Sequence, residues 1–353
     1  MIYNDSQKKA VMHTTGPMMV LAGPGSGKTA VITGRTCQLV TSGISASRIL
    51  VVTFTRAAAK EMKERYLKAM GKTSTQVTFG TFHGVFYAIL RHTYRMSGNN
   101  ILSEEEKKRL MRELVNHYAR DLEEEDLEEN LAREISTVKN NQIPLEHYYS
   151  ACMPQEKFRE IYEAYEKWRK ENKKLDFDDL MVQCKRLFLE RPEVLCAWQQ
   201  KFQYILIDEF QDISPVQYEI VRMLALPENN LFIVGDDDQS IYQFRGAKPE
   251  IMLNFPKDYP GAAQVVLDKN YRSTEFIVKR SQCLIHHNKK RYEKAISTNN
   301  EKGAPVAIRG YKNPREEMRA VAEELREAEK NGCPYEEMAL SLIHISEPTR
   351  RRG

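Results

Sequence analysis

Two short stretches of the sequence hold the residue types needed to handle a nucleoside triphosphate. The first is Ala22-Gly23-Pro24-Gly25-Ser26-Gly27-Lys28-Thr29, which follows the apolar run Met18–Ala22 and precedes a helical pattern. Glycines let backbone N–H groups wrap phosphate oxygens, and the helix start adds the positive end of its dipole. In such a loop Lys28 reaches the β- and γ-phosphates, and the Thr29 hydroxyl ligates Mg²⁺. The strict pattern opens with Gly; Ala22 stands there, where a small residue is sufficient. The second stretch is Tyr204-Ile-Leu-Ile-Asp208-Glu209. Its apolar residues predict a buried strand whose C-terminal end presents two carboxylates, the edge at which open α/β sheets bind ligands. Asp208 can hold the Mg²⁺, and Glu209 can orient or deprotonate an attacking water. Together the two stretches point to hydrolysis of a nucleoside triphosphate.

These residues need a sheet to hold them, and strand candidates recur at Met18–Ala22, Ile49–Phe54, Gln76–Phe79, Tyr204–Ile207, Leu231–Val234, Gln264–Leu267 and Pro305–Ile308. The first few are continuously apolar and bounded by turns, as in buried parallel strands. Helical patterns follow at Lys28–Val40, Ala57–Met70 and Val85–Tyr94, so strand and helix alternate as in a parallel sheet covered on both faces. Between about residues 95 and 200 the strand signal stops. Ser103-Glu104-Glu105-Glu106 opens a helix with a capping box, and amphipathic patterns follow at Leu122–Val138, Glu156–Glu171 and Phe177–Leu189. That segment predicts an all-α insertion, and the acidic run Asp121–Glu129 within it predicts a solvated helix face. Pro305–Gly310 and Met338–Ile343 predict strands flanking a helix at Pro314–Lys330.

Composition narrows the class. The chain has 353 residues, 41% hydrophobic and 29% charged, which excludes wholesale disorder and suggests two or three domains. No apolar run approaches the ~20 residues that span a bilayer, and the start MIYNDSQKKA shows no signal-peptide pattern. The six cysteines lack CxxC spacing, which argues against a zinc ribbon or disulfide framework and predicts a reducing, cytoplasmic setting. A net charge of +4 permits nucleic-acid binding without requiring it.

Further motifs resemble those of the superfamily 1A DNA helicases of the UvrD/PcrA/Rep type. Tyr3-Asn-Asp-Ser-Gln7-Lys-Lys-Ala-Val11 resembles the family's Q motif, and Ala22–Thr29 its motif I. Val52-Thr-Phe-Thr-Arg-Ala-Ala-Ala-Lys-Glu-Met62 and Gly80-Thr-Phe-His-Gly84 are similar to motifs Ia and Ib. Asp208-Glu-Phe-Gln-Asp212 resembles motif II, Val234-Gly-Asp-Asp-Asp-Gln239-Ser-Ile-Tyr-Gln-Phe-Arg-Gly-Ala247 motif III, and Asn270-Tyr-Arg-Ser-Thr274 motif IV. Order and spacing agree over about residues 1 to 343. Two departures stand out: Phe244 replaces the usual Trp, and Arg56-Ala57 replaces Asn-Lys in motif Ia.

The resemblance implies an ATP-dependent 3′→5′ translocase and helicase acting in DNA repair or replication, with ATP and Mg²⁺ as cofactors. Its substrates would be single-stranded DNA and single-strand/duplex junctions, with no membrane partner. Gln7 would read the adenine edge, with Arg35 and Tyr271 against the two faces of the base. Gln239 would sense the γ-phosphate, and Arg272 would act as an arginine finger. Phe54, Thr55, His83, Tyr242, Phe244 and Arg245 would contact the strand by stacking and backbone bonds, whereas Phe79 and Phe86 are expected in the core. Asp236, Asp237 and Asp238 belong to motif III and are assigned no extra metal. The resemblance divides the chain into a first RecA-like domain (1–94 and 175–268) and a helical insertion (95–174). The start of a second RecA-like domain (269–342) and a non-native tail (343–353) follow. With the family's later motifs absent, the chain alone is expected to bind Mg-ATP weakly, hydrolyse it slowly and not unwind. The alternatives are the motor of a helicase–nuclease and a non-catalytic DNA- or nucleotide-binding remnant.

Overall fold

A computed structural model describes residues 2–122, 126–241 and 246–341. It resolves into two compact units, 1–303 and 304–353. The first opens with α1 (Asp5–Met12), β1 (Met18–Ala22), α2 (Lys28–Thr41), β2 (Ile49–Thr53), α3 (Arg56–Met70), β3 (Thr78–Thr81) and α4 (Phe82–Tyr94). Three helices follow without a strand: α5 (Glu104–Tyr118), α6 (Leu127–Asn140) and α7 (Gln155–Glu171). The chain then returns through α8 (Phe177–Glu190), α9 (Pro192–Lys201), β4 (Tyr204–Ile207), α10 (Pro215–Ala225), β5 (Leu231–Gly235), α11 (Pro249–Asp258) and β6 (Ala263–Leu267). It ends with β7 (Lys269–Asn270), α12 (Glu275–Ile285) and β8 (Ser297–Thr298). In the second unit the described residues hold α13 (Pro314–Lys330).

Six strands form a wholly parallel sheet in the order β3-β2-β4-β5-β1-β6. The α/β fold expected from strand–helix alternation is therefore observed. β1, β2, β4 and β5 are buried at every residue because helices cover both faces. Their side chains alternate between two cores: Met19, Leu21, Leu50, Val52, Ile205, Ile207 and Ile233 face one, and Met18, Val20, Ile49, Val51, Leu206, Phe232 and Val234 the other. Helices α5 to α7 gather a third core around Leu110, Met111, Leu131, Ile135, Phe158 and Ile161. Parallel order sends the C-terminal ends of all six strands to one edge, where the loops carrying the candidate residues collect.

Several boundaries move for local reasons. The helix expected from Leu122 begins at Leu127, because Asp126 takes a left-handed φ of 58° just before it. Leu122 packs on the insertion core as a partly buried residue, while 123–125 lie outside the described residues. β3 starts at Thr78, after Thr75 Oγ1 accepts the Val77 N–H at 3.0 Å in a tight turn. Pro305–Ile308 and residues 338–341 are not strands, and residues 342–343 of the expected Met338–Ile343 strand lie outside the described residues. Residues 305–308 are solvent-exposed and pair with no strand among the described residues, and an unpaired strand leaves its backbone groups without ladder partners. Phe86 is in the core as expected, and Phe79 packs against Tyr66. No helix among the described residues is long and apolar enough to cross a membrane.

Candidate functional site

The phosphate-binding loop leaves β1 at fully buried Ala22, and the Gly23 N–H donates to the Leu267 carbonyl at 3.1 Å, fixing the loop base to β6. Ser26 is buried and its hydroxyl donates to the Gly23 carbonyl at 2.6 Å. Gly25 and Gly27 have φ of 63° and 89°, a region L-residues avoid. A side chain at either would also collide, with Asn270 and Arg272 at Gly25 and with Gln7 at Gly27. Gly27 caps α2 without a side-chain bond, so the first-turn N–H groups that begin at Lys28 and Thr29 remain available to an anion.

Across the loop, Lys28 Nζ lies 2.5 Å from Glu209 Oε2. Glu209 adopts a left-handed φ of 52°, a strained turn immediately after β4. Asp208 is only 4% exposed, and its Oδ1 is buried with no hydrogen-bond partner among the described residues. Burial first, and the neighbouring Glu209 second, push its carboxyl up to about 7. An unpartnered buried carboxylate oxygen in one cavity with the Thr29 side chain fits a hard cation with oxygen ligands. Thr29 and Asp208 would hold Mg²⁺ there.

Residues 270–272 lie directly on the phosphate-binding loop. Asn270 Nδ2 donates to the Pro24 carbonyl at 2.7 Å, and the Tyr271 N–H donates to the Gly25 carbonyl at 3.0 Å. Asn270 Oδ1 accepts the backbone N–H groups of Arg272 and Ser273 at 2.9 and 2.7 Å, so the Arg272 side chain is exposed beside Gly25. Tyr271 is 54% exposed, and its hydroxyl accepts from Asn4 Nδ2 at 2.8 Å. Gln7 sits beneath: it forms a capping box with Asn4, and its Nε2 donates to the Ser26 carbonyl at 2.9 Å. In this conformation its amide braces the loop.

Arg35, expected against one face of the base, lies inward in this conformation. It is 2% exposed, lies 4.8 Å over the Phe232 ring in the core, and donates to the Thr14 carbonyl at 3.3 Å. Burial pulls its guanidinium down to about 10. In this conformation its side chain turns inward onto β5, with Nε and Nη1 buried and without a hydrogen-bond partner among the described residues.

At the end of β5, Gln239 Nε2 donates to Asp236 Oδ2 at 2.6 Å. The Asp236 N–H donates to Gln211 Oε1 at 2.9 Å, and Gln211 Nε2 donates to Glu209 Oε2 at 2.9 Å. The carboxylates of Asp236, Asp237 and Asp238 cluster closely enough to hold a metal ion, but the Lys294 ammonium stands among them. Gln211, Asn270 and Lys294 join the site in addition to the residues expected there. The first two lie inside recognised motifs; nothing in the local pattern marks Lys294.

A cavity of about 1080 Å³ runs from Thr29, Asp208, Glu209 and Gln239 along the ends of β2 and β3 to the insertion. Phe54, Thr55 and His83 line it, joined by Phe177 from α8. Phe54 packs edge-on to Phe82 at 5.3 Å, and His83 edge-on to Phe177 at 5.6 Å. Burial holds the His83 imidazole below its ordinary range, against the opposing charge of Asp178. Thr55 is exposed, but its hydroxyl already accepts the Ala58 N–H at the start of α3. Lys107 and Lys108 line the insertion side, where Arg112 and Arg133 are paired with Glu128 and Glu129 at 3.5 and 3.7 Å. Tyr242, Phe244 and Arg245 lie outside the described residues.

Comparison with known proteins agrees with this geometry. Residues 3–260 match the model of the UvrD/REP helicase N-terminal domain, and residues 265–343 that of the UvrD-like helicase C-terminal domain. The putative ATP-dependent DNA helicase YjcD of Bacillus subtilis is 41% identical over 345 residues, covering 96% of this chain and 45% of its own length. The probable DNA helicase II homolog of Mycoplasma capricolum is 36% identical over 96% of the chain and 48% of its own length. The ATP-dependent DNA helicase PcrA of Leuconostoc citreum is 39% identical over 86% and 41%. The chain spans about half the length of the curated relatives it matches.

Proposed function

The chain belongs to the UvrD/Rep family of DNA helicases, and from that premise we propose that it is the ATP-hydrolysing, strand-gripping part of a 3′→5′ DNA translocase. Its substrates are single-stranded DNA and single-strand/duplex junctions, and its setting is repair or replication. The polarity and setting rest on the family resemblance. The observation that carries the enzymatic reading is the state of motif II: Asp208 is buried with a free oxygen, while Glu209 is engaged by Lys28. Both carboxylates are built to change partners.

Mg²⁺ held by Thr29 and Asp208 would neutralise charge on the bound phosphate. The residues do the rest. Lys28 leaves Glu209 for the phosphates, and Glu209, freed, takes the proton of the attacking water. Arg272, aligned by Asn270 beside Gly25, offsets the charge that develops on the transferred phosphoryl group. Gln239 detects that group from the end of β5. The groove past Phe54 and His83 begins at this same edge, so a strand stacked there feels any shift of the β4 and β5 ends.

The test is Lys28→Ala. Loss of one preorganised charge contact lowers turnover about 10²–10³-fold, so DNA-stimulated ATP hydrolysis should fall by that factor with an unchanged melting temperature. Hydrolysis that survives the substitution sinks the assignment.

A further inference from the structure

We infer that Lys294 is a positioning residue that holds the phosphate-sensing end of β5 in register with the nucleotide; this rests on the function proposed above. Its side chain is 1% exposed, although it is a lysine in the segment between α12 and β8. The ammonium lies 2.8 Å from Asp236 Oδ1 and 2.9 Å from Asp238 Oδ2, and also bonds Asp237. Arg291, three residues earlier, grips both oxygens of Asp238 at 2.7 Å. The Tyr292 N–H between them donates to Asp237 Oδ2 at 2.7 Å. Lys294 thus occupies the centre of a carboxylate cluster where a divalent cation could otherwise sit.

What the clamp orders is Asp236, which has no solvent exposure. One of its oxygens goes to Lys294 and the other takes the Gln239 amide, so rotation of this carboxylate would carry Gln239 with it. Its backbone N–H holds Gln211, which holds Glu209, which holds Lys28. A continuous polar chain therefore runs from the phosphate-binding lysine to Lys294. A buried carboxylate stripped of its cation must take up a proton or swing toward solvent, because leaving it charged and unpaired is costly. The swing would carry Gln239 out of its fixed geometry, and protonation would weaken the charged acceptor that holds its amide. The same clamp ties the end of β5 to the segment closing the β7–β8 pair, whose β7 leads into Tyr271 and Arg272. Lys294 then links phosphate sensing to the placement of those two residues.

The experiment uses the 353-residue chain and compares Lys294→Met, which keeps most of the length but removes the charge, with Lys294→Arg, Asp237→Asn and Lys28→Ala. Fluorescent ATP and ADP analogues give the affinities, and melting and single-strand-stimulated hydrolysis are followed alongside. Lys294→Met should leave ADP affinity within about twofold and lower both the ATP-over-ADP preference and kcat by about tenfold. Lys294→Arg should recover part of the preference. Asp237→Asn, which loosens the clamp but keeps the ammonium, should move the preference the same way by less, and it decides the matter should Lys294→Met fail to fold. A folded Lys294→Met or Asp237→Asn chain with the original preference and kcat overturns this role. Nucleotide binding that Lys28→Ala abolishes while Lys294→Met leaves it unaltered overturns this role alone. An unaltered chain that binds no nucleotide overturns the functional reading and this role with it.

Discussion

In the helical insertion, Lys139 Nζ lies 2.7 Å from Glu166 and from Asp176 and 3.0 Å from Asp179, while Arg169 closes the ring onto Glu166 and Asp179 at 2.6 and 3.0 Å. The Tyr165 hydroxyl donates to Asp176 at 2.7 Å, and Asp176 and Asp179 form the capping box that starts α8. Every charge in this knot has a partner. At the sheet edge, Lys28, Glu209, Gln211, Asp236 and Lys294 form a network just as continuous, yet Asp208 Oδ1 is left bare and Glu209 sits in a strained backbone. Both networks hold several carboxylates, though the Glu209 side chain is 35% exposed. The difference is saturation. A buried polar network with all bonds made rigidifies, and one with a missing partner is poised for a ligand. The knot joins α6 and α7 of the insertion to α8, and the relay serves chemistry.

The comparison breaks most visibly at Lys139. Lys139→Ala leaves three carboxylates around one arginine, and removing one member of a buried ion pair costs about 3–5 kcal/mol. The expected outcome is a large fall in unfolding free energy by urea titration, in contrast to Lys28→Ala, which should melt normally. If Lys139→Ala melts as the parent does, saturation does not mark a structural network and the contrast fails.

A smaller effect separates the groove from both networks. Phe54 lines the groove and touches Phe82 without any bond to the relay or the knot. Stacking of a base on an aromatic is worth about 1–3 kcal/mol, so Phe54→Ala should weaken single-strand affinity about 5- to 150-fold. Basal nucleotide affinity should not move. Fluorescence anisotropy with a labelled oligonucleotide reads the first quantity, and unchanged strand affinity removes Phe54 from the DNA path.

The same contrast explains what the sequence made legible. β1, β2, β4 and β5 were readable because strands buried on both faces are continuously apolar, and the loop from Gly23 to Thr29 was readable because wrapping phosphate demands glycines. The family resemblance placed Arg35 against the base, and the sequence carried no sign that in this conformation its side chain lies over Phe232 with two guanidinium nitrogens unpartnered among the described residues. Lys294 was invisible: it acts through carboxylates more than fifty residues away in sequence, and a lone lysine carries no periodic signal. Pro305–Ile308 shows the converse, a strand pattern that pairs with no strand among the described residues.

Asp208 gives the finest test of the unsaturated network. Burial, and then the charge of Glu209, hold its carboxyl at about 7, against an ordinary value near ~4. The sign follows from what competes for the free oxygen. Below pH 7 a proton occupies the carboxyl and Mg²⁺ must displace it, so the metal-dependent part of nucleotide affinity should fall by up to about tenfold per unit of pH. Above pH 7 the carboxylate is already bare and the dependence should level off. Binding of a fluorescent ATP analogue, measured with Mg²⁺ and with EDTA from about pH 6 to 8.5, isolates the metal-dependent part. Asp208→Asn supplies the control, because the nucleotide's own phosphate titrates identically in both chains and cancels in the difference. A wild-type profile that parallels the Asn variant would mean that Asp208 is ionised throughout. Its bare oxygen would then be a buried charge satisfied by Lys28 across the site, and the relay would be as saturated as the knot.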